Sequence, residues 1–192
     1  ADDLSSMTLF QPEDLAGLAK LVNEGNSFEG KTLYLSTDLD MNNKIWDNPI
    51  GNVSDRSFKG TFIGGGHQIK NLNIELASSS DVAALFGHVD GKIQQLIVSG
   101  VCKANADKKS IIYVGGISAF NDGEIEGCRS YVDISGKLEL ASEEQTNVFA
   151  GGISGLNRGI ISICQNYGAI SAENINTNSK AYIHLGGIAG GN

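Results

Sequence analysis

Short apolar runs with a period of two recur along most of this chain. Val132 and Ile134 flank Asp133, Leu33 and Leu35 flank Tyr34, and Leu72 and Ile74 flank Asn73. Successive side chains of a strand face opposite ways, so each run reads as a short strand with one buried face. The opening segment keeps a different period. There Leu15, Leu18, Leu21 and Val22 recur at helical spacing, Pro12 suits a first helical position, Glu13 and Asp14 favour the positive N-terminal end, and Gly25 suits termination. Phe10 and Leu15 are placed to form a hydrophobic staple.

The runs belong to a repeat. Take Ile69, Ile93, Ile125 and Ile161 as anchors: the third residue after each is Leu72, Leu96, Cys128 and Cys164. Gly91, Gly123 and Gly159 stand two before the last three anchors, and Leu85, Ile117 and Ile153 stand eight before them, a series that Ile188 extends. Asn121 and Asn157 precede their anchors by four, and Asn192 holds the same place relative to an anchor beyond the chain. The anchor spacings of 24, 32 and 36 residues predict a constant coil with inserts at 102–110, 137–147 and 173–180, read as loops on one edge. A unit of three short strands cannot bury its apolar face alone, but units stacked about 4.8 Å apart can. The expectation is an all-β parallel β-helix, a solenoid of about five coils. Residues 1–30 form an N-terminal cap whose amphipathic helix covers the first edge, and residues 31–192 form the β-helix, its first coil (31–74) irregular and its last incomplete, as in a fragment of a longer protein.

Composition supports a core and narrows the partners. With 41% hydrophobic and 19% charged residues, the 192-residue chain is too apolar for disorder and too polar for a membrane protein. Its 25 glycines fit sharp corners, above all the pairs Gly115–Gly116, Gly151–Gly152 and Gly186–Gly187. Asn121, Asn157 and Asn192 suit the same corners, where stacked amides can hydrogen-bond along the axis. A net charge of -8 repels polyanions, so nucleic acid is not an expected partner. No stretch has the length and apolarity of a membrane span, and the start at Ala1, Asp2 and Asp3 lacks the pattern of a signal peptide, so any export signal is expected to have been removed.

The run from Phe58 to Leu72, FKGTFIGGGHQIKNL, resembles the opening of the GLUG-repeat bacterial cell-surface proteins. Gly115 to Ile125 (GGISAFNDGEI) and Gly151 to Ile161 (GGISGLNRGII), trailed by Cys128 and Cys164, resemble two successive GLUG motifs. The segment ahead of them, with Trp46, Pro49, Ile50 and Gly51, resembles the family's leader, so the likeness covers nearly the whole chain. It implies a secreted or surface-attached bacterial protein with a right-handed β-helix, often adhesin-like, and the motif also accompanies some secreted peptidases. It implies no catalytic residues. The second coil departs from the motif, with Ala83 and Ala84 for the glycine pair and Val89 for the asparagine.

Candidate chemistry reduces largely to scaffold. Asp122, Glu124 and Glu126 alternate on one strand, as paired carboxylates of a glycan-cleaving enzyme would. Register offers the alternative of a charge ladder, since Asp122 aligns with Arg158 and Asp90, and Glu124 with Lys92. Polysaccharide lyases on this architecture need a carboxylate cluster and a basic residue, and Arg56, Arg129 and Arg158, the only arginines, complete no such set. Asp38, Asp40 and Asn42 are either three calcium ligands or a solvated strand face. His67, His88 and His184 lack zinc spacing, and no strained G-x-S-x-G turn precedes a helix. Cys128 and Cys164 read as small buried hydrophobes with inert thiols, a disulfide between them being the alternative. Tyr131 and Tyr167, three after each, form either an aromatic ladder or a sugar platform.

Two functions remain. One is a non-enzymatic extracellular or cell-surface module, stalk or adhesin, binding a host glycan or extracellular protein through its edge loops, with further C-terminal domains in the same protein. The other is a glycan-active enzyme or its carbohydrate-binding domain. No catalytic, cofactor or metal residue is assigned, no cofactor is expected, and the ligand-binding residues stay open.

Overall fold

The computed structural model describes residues 6–78, 80–105, 111–138, 145–174 and 180–192. Strand β1 (Ser6–Leu9) leads into helix α1 (Pro12–Asn23), followed by β2 (Thr32–Leu35), β3 (Leu39–Asp40) and β4 (Ile45–Trp46). Four turns of the same plan then stack on this base. The first holds β5 (Thr61–Ile63), β6 (Gln68–Glu75), β7 (Val82–Ala83) and β8 (Phe86–Val89), and the second β9 (Lys92–Gln94), β10 (Ile97–Lys103), β11 (Ile111–Gly115) and β12 (Ser118–Asn121). The third holds β13 (Glu124–Glu126), β14 (Arg129–Leu138), β15 (Gln145–Gly151) and β16 (Ser154–Asn157). In the fourth, β17 (Ile160–Ser162) is followed by the split pair β18 (Gln165–Asn166) and β19 (Ile170–Asn174), then β20 (Lys180–Gly186) and β21 (Ala189–Gly191).

Every strand pairs in parallel with its counterpart in the next turn, giving four sheets along one axis. The chain is therefore a parallel β-solenoid of about four turns. Each turn has four strands, one more than the sequence pattern suggests, because the chain bends at the position of the glycine pair and divides one run into two short strands. At that bend a Cβ on Gly115 would collide with the Ser118 carbonyl, so only glycine lets the chain fold back so tightly.

The principal inward column of the first sheet is Leu33, Phe62, Ile93, Ile125 and Ile161. Ile93 and Ile125 thus stack as expected, but Ile69 does not precede them. It lies one strand further on, between Leu39 and Val98 in the neighbouring sheet. The aligned spacings are therefore 31, 32 and 36 residues, and the 24-residue coil does not exist. The error has a local cause. Ile69 and Leu72 imitate the anchor pattern, whereas the glycine two residues ahead, present at Gly91, Gly123 and Gly159, has its partner at Gly60, ahead of Phe62. That glycine is needed for close stacking: a Cβ on Gly123 would strike the Gly91 carbonyl.

The inserts also prove shorter than their expected bounds. Cys102 lies in β10, buried in a column with Ile74 and Ile134, and Lys137 pairs with Glu173 in register. Strands thus extend from both sides into the expected loops, whose centres at 106–110, 139–144 and 175–179 fall outside the described residues.

Helix α1 buries Leu15, Leu18, Ala19 and Val22 in the core, while Leu21 stays exposed. The Asp14 carboxylate accepts hydrogen bonds from the Phe10 and Gln11 N–H groups, which caps the first turn. Phe10 remains 65% exposed, so the expected staple to Leu15 does not form. The strand before the helix, β1, pairs with β2 and forms the first edge of its sheet. At the other end Asn23 ties the helix to the first coil. Its side-chain oxygen accepts from the Gly51 and Asn52 N–H groups, and its carbonyl accepts from the Arg56 guanidinium.

Candidate functional site

A groove lies at the corner between the first two sheets. It encloses about 530 Å³ and is lined in part by Gln94, Gln95, Glu126, Gly127, Arg129 and Ile163. Its bend is built from one repeat position, occupied by Gln95, Gly127 and Ile163, each in the left-handed region with φ of 52°, 63° and 55°. Gly127 adopts this without cost. Ile163 is β-branched and pays in backbone strain, yet it is 81% exposed.

Strands β14 and β18 carry the groove onto a flat face. Arg129 aligns with Gln165, and two residues further on Tyr131 aligns with Tyr167. The two phenol rings lie 4.7 Å apart between centroids and only 9° from parallel, with 43% and 58% of each residue exposed. The Tyr167 hydroxyl donates to Gln165 Oε1 at 3.1 Å, and the Gln94 amide donates to Glu126 at 2.7 Å. The Arg129 guanidinium makes no hydrogen bond or ion pair with the described residues, although most other cations here are paired. The face of β14 and β18 therefore combines two stacked aromatic rings with the Gln165 amide and a free guanidinium, and Arg129 joins it to the groove, which suits a ligand with an apolar ring face and a hydroxylated rim.

The other sequence candidates do not converge on one site. Asp122 holds Arg158 through two bonds of 2.9 and 2.8 Å, and Glu124 holds Lys92 at 2.8 Å, so these carboxylates form the inter-coil ladder. The Asp38 carboxylate is kept below its ordinary pKa chiefly by the Gln68 N–H, and Asp40 chiefly by the Asn71 amide. Both acids are thereby turned toward the next coil, and Asn42 only donates its N–H and amide to Asp40. His67 meets Asp38 at 3.5 Å, while His88 and His184 lie on a different face. Arg56 is used by the helix. Among the described residues no three His, Cys, Asp or Glu side chains gather into a metal site.

The sequence reading missed a second aromatic system. Tyr113, Phe149 and His184 stack in one column, with centroids 5.7 and 4.6 Å apart, and Phe120 joins Tyr113 edge-on and His88 face-on. Arg158 sits over Phe120 at 4.7 Å. A signal was present: Tyr113, Phe149 and His184 each stand two residues before a glycine pair. Burial keeps the His88 pKa below its ordinary value, against the pull of Asp81, Asp90 and Asp122.

The fold and groove together define a parallel β-solenoid with an exposed aromatic strip. No family model matches the chain, and no curated protein matches it. Among solved structures the chain is similar to a "putative immunoglobulin A1 protease from Bacteroides ovatus", at 18% identity and a TM-score of 0.60 over 96% of this chain. The likeness covers 61% of that chain, so this one spans about three fifths of its length. What the two share is the fold. No described helix is long and apolar enough to cross a membrane.

Proposed function

We propose that this chain is a non-enzymatic, adhesin-like binding module of a secreted or cell-surface bacterial protein, with residues 1–30 as its cap, and that it holds a glycan against Tyr131 and Tyr167. The stacked, exposed tyrosine pair carries this reading. A sugar ring presents an apolar face that stacks on the outward ring face of Tyr167 in the last turn, while Arg129 and Gln165 stand on the same face to meet hydroxyl groups. A second groove of about 500 Å³, lined by Lys103, Asn105, Ser135, Lys137, Ser171 and Glu173, continues the same exposed sheet along β10, β14 and β19. The pairing of Glu124 with Lys92 and of Glu126 with Gln94 supports binding over acid-base cleavage, because neither carboxylate stands free as a proton donor or base. The neighbour described as a "putative immunoglobulin A1 protease" shares the fold at 18% identity and is the observation that favours the alternative, an enzyme or its carbohydrate-binding domain.

A glycan and matrix-protein array on the purified chain, paired with an assay for reducing-sugar release, tests this. Binding without release is expected, and Tyr131→Ala with Tyr167→Ala should weaken it about tenfold or more, roughly 1.4 kcal/mol. Undiminished binding by the double variant would move the site elsewhere. Sugar release would favour the enzyme reading.

A further inference from the structure

Cys128 and Cys164 occupy one inward column of the third and fourth turns. The pairs on either side of them, Glu126 with Ser162 and Arg129 with Gln165, are in register. Neighbouring strands stand about 4.8 Å apart, within the roughly 4.4 to 6.8 Å that the Cα atoms of a disulfide span. The Cys128 N–H donates to Cys164 Sγ at 3.4 Å, and both thiols are free.

Their surroundings differ in a useful way. Cys128 is buried and also directs its thiol at the Glu126 carbonyl, 3.3 Å away. Cys164 is half-buried at the last turn, beside the strained Ile163. Cys102 is fully buried in β10, aligned with Ile134 further along the next turn, and burial pushes its pKa up to about 12.

We propose that Cys128 and Cys164 are an inter-turn dithiol that small-molecule disulfides convert to a disulfide, with Cys164 as the attacking and Cys128 as the resolving thiol. In the first step the Cys164 thiolate attacks one sulfur of RSSR, forming a mixed disulfide and releasing RS⁻. In the second the Cys128 thiol loses its proton and displaces the remaining RS⁻, closing the Cys128–Cys164 bond. Two electrons pass from the protein to RSSR, and two RSH leave. Cys164 is suited to attack because it is the half-buried thiol of the pair and its sulfur accepts the Cys128 N–H, which favours the thiolate. Cys128 is buried, which disfavours its thiolate, so it acts only once its partner has been captured. The product staples adjacent turns across a 36-residue segment and restrains the unfolded chain.

The native protein treated with the aromatic disulfide 5,5′-dithiobis(2-nitrobenzoate) tests this. Wild type should release two chromophores per chain and end about 2 Da lighter than the reduced protein, without adduct, while denaturant exposes the third thiol. Cys128→Ser should release one and keep a stable adduct on Cys164, and Cys164→Ser should release none. Peptide mapping of oxidised wild type should find the Cys128–Cys164 link, a readout independent of how the variants fold. A lasting adduct on wild-type Cys164, or no release before denaturation, would overturn the proposal.

Discussion

Ile163 occupies a backbone conformation that its repeat counterpart fills with Gly127. A β-branched residue at a φ of 55° costs about 1 to 3 kcal/mol, more than the conformational entropy of a glycine. Ile163→Gly should therefore raise stability by about 1 kcal/mol, read as a higher denaturation midpoint. An unchanged or lower midpoint would show that its exposed side chain makes contacts worth the strain. Asparagine shows a different residue-scale effect. Asn121 donates to Asn157 at 2.7 Å, and Asn157 donates to Asn192 at 2.7 Å, as the corner ladder leads one to expect. The ladder stops at Asn121, whose Oδ1 is buried without a partner because the preceding turn offers Val89. His88 supplies a pH dependence. Its folded pKa lies below the unfolded 6.5, so below that pH the unfolded chain binds the proton more readily and stability falls. His88→Phe should flatten the stability difference between about pH 7.5 and about pH 5.5, measured by denaturant titration at both.

Among the elements, β13 is the most informative, because its register was legible in advance. Ile125 packs between Ile93 and Ile161, and Glu124 faces Lys92, as the repeat spacing indicates. Ile125→Asp would bury a charge in the middle of that column, adding several kcal/mol to the roughly 1.5 to 3 lost with the side chain. The variant should not fold, and a melt like that of wild type would refute the stacking. Strand β6 shows the opposite case. Gln68–Glu75 contains the same apolar spacing as an anchor, yet parallel stacking is decided by the whole preceding turn. The three glycines at 64–66, with positive φ at Gly65 and Gly66, let the chain turn before Ile69 and shift it to the next sheet. Helix α1 was legible in its caps and its inner face, since 3.6-residue periodicity marks both. Leu21 was not, because periodicity alone does not say how wide the buried stripe is.

Across the whole molecule, cation–carboxylate pairs link successive coils: Lys59 with Asp90, Lys70 with Asp40, Lys103 with Glu75 and Lys137 with Glu173. Each is solvent-exposed and contributes little by itself, so the apolar columns carry the stability and the charges favour one register. Coils joined in this way tolerate inserts at their edges. Removing four residues within 139–144 would bring the 36-residue spacing to the 32 of the preceding turn. Loop-closure entropy changes slowly with length, so the thermal midpoint should shift by an amount worth less than about 1 kcal/mol. Collapse of the entire transition would place that segment in the core.

The repeat, the parallel stacking, the inner columns after Ile93, the asparagine ladder and the opposite-charge pairs were determined by the sequence alone, because each depends on residues recurring at one interval. Tertiary structure decided whatever depends on how a turn bends. It split each coil into four strands, moved Ile69 to another sheet, drew Cys102 into the interior and brought Tyr113, Phe120 and Phe149 together across a corner. It also placed Gln94, Gln95, Glu126, Arg129 and Ile163 around one groove. Spacing along a chain states which residues share a column, but only the backbone path states which columns share a face.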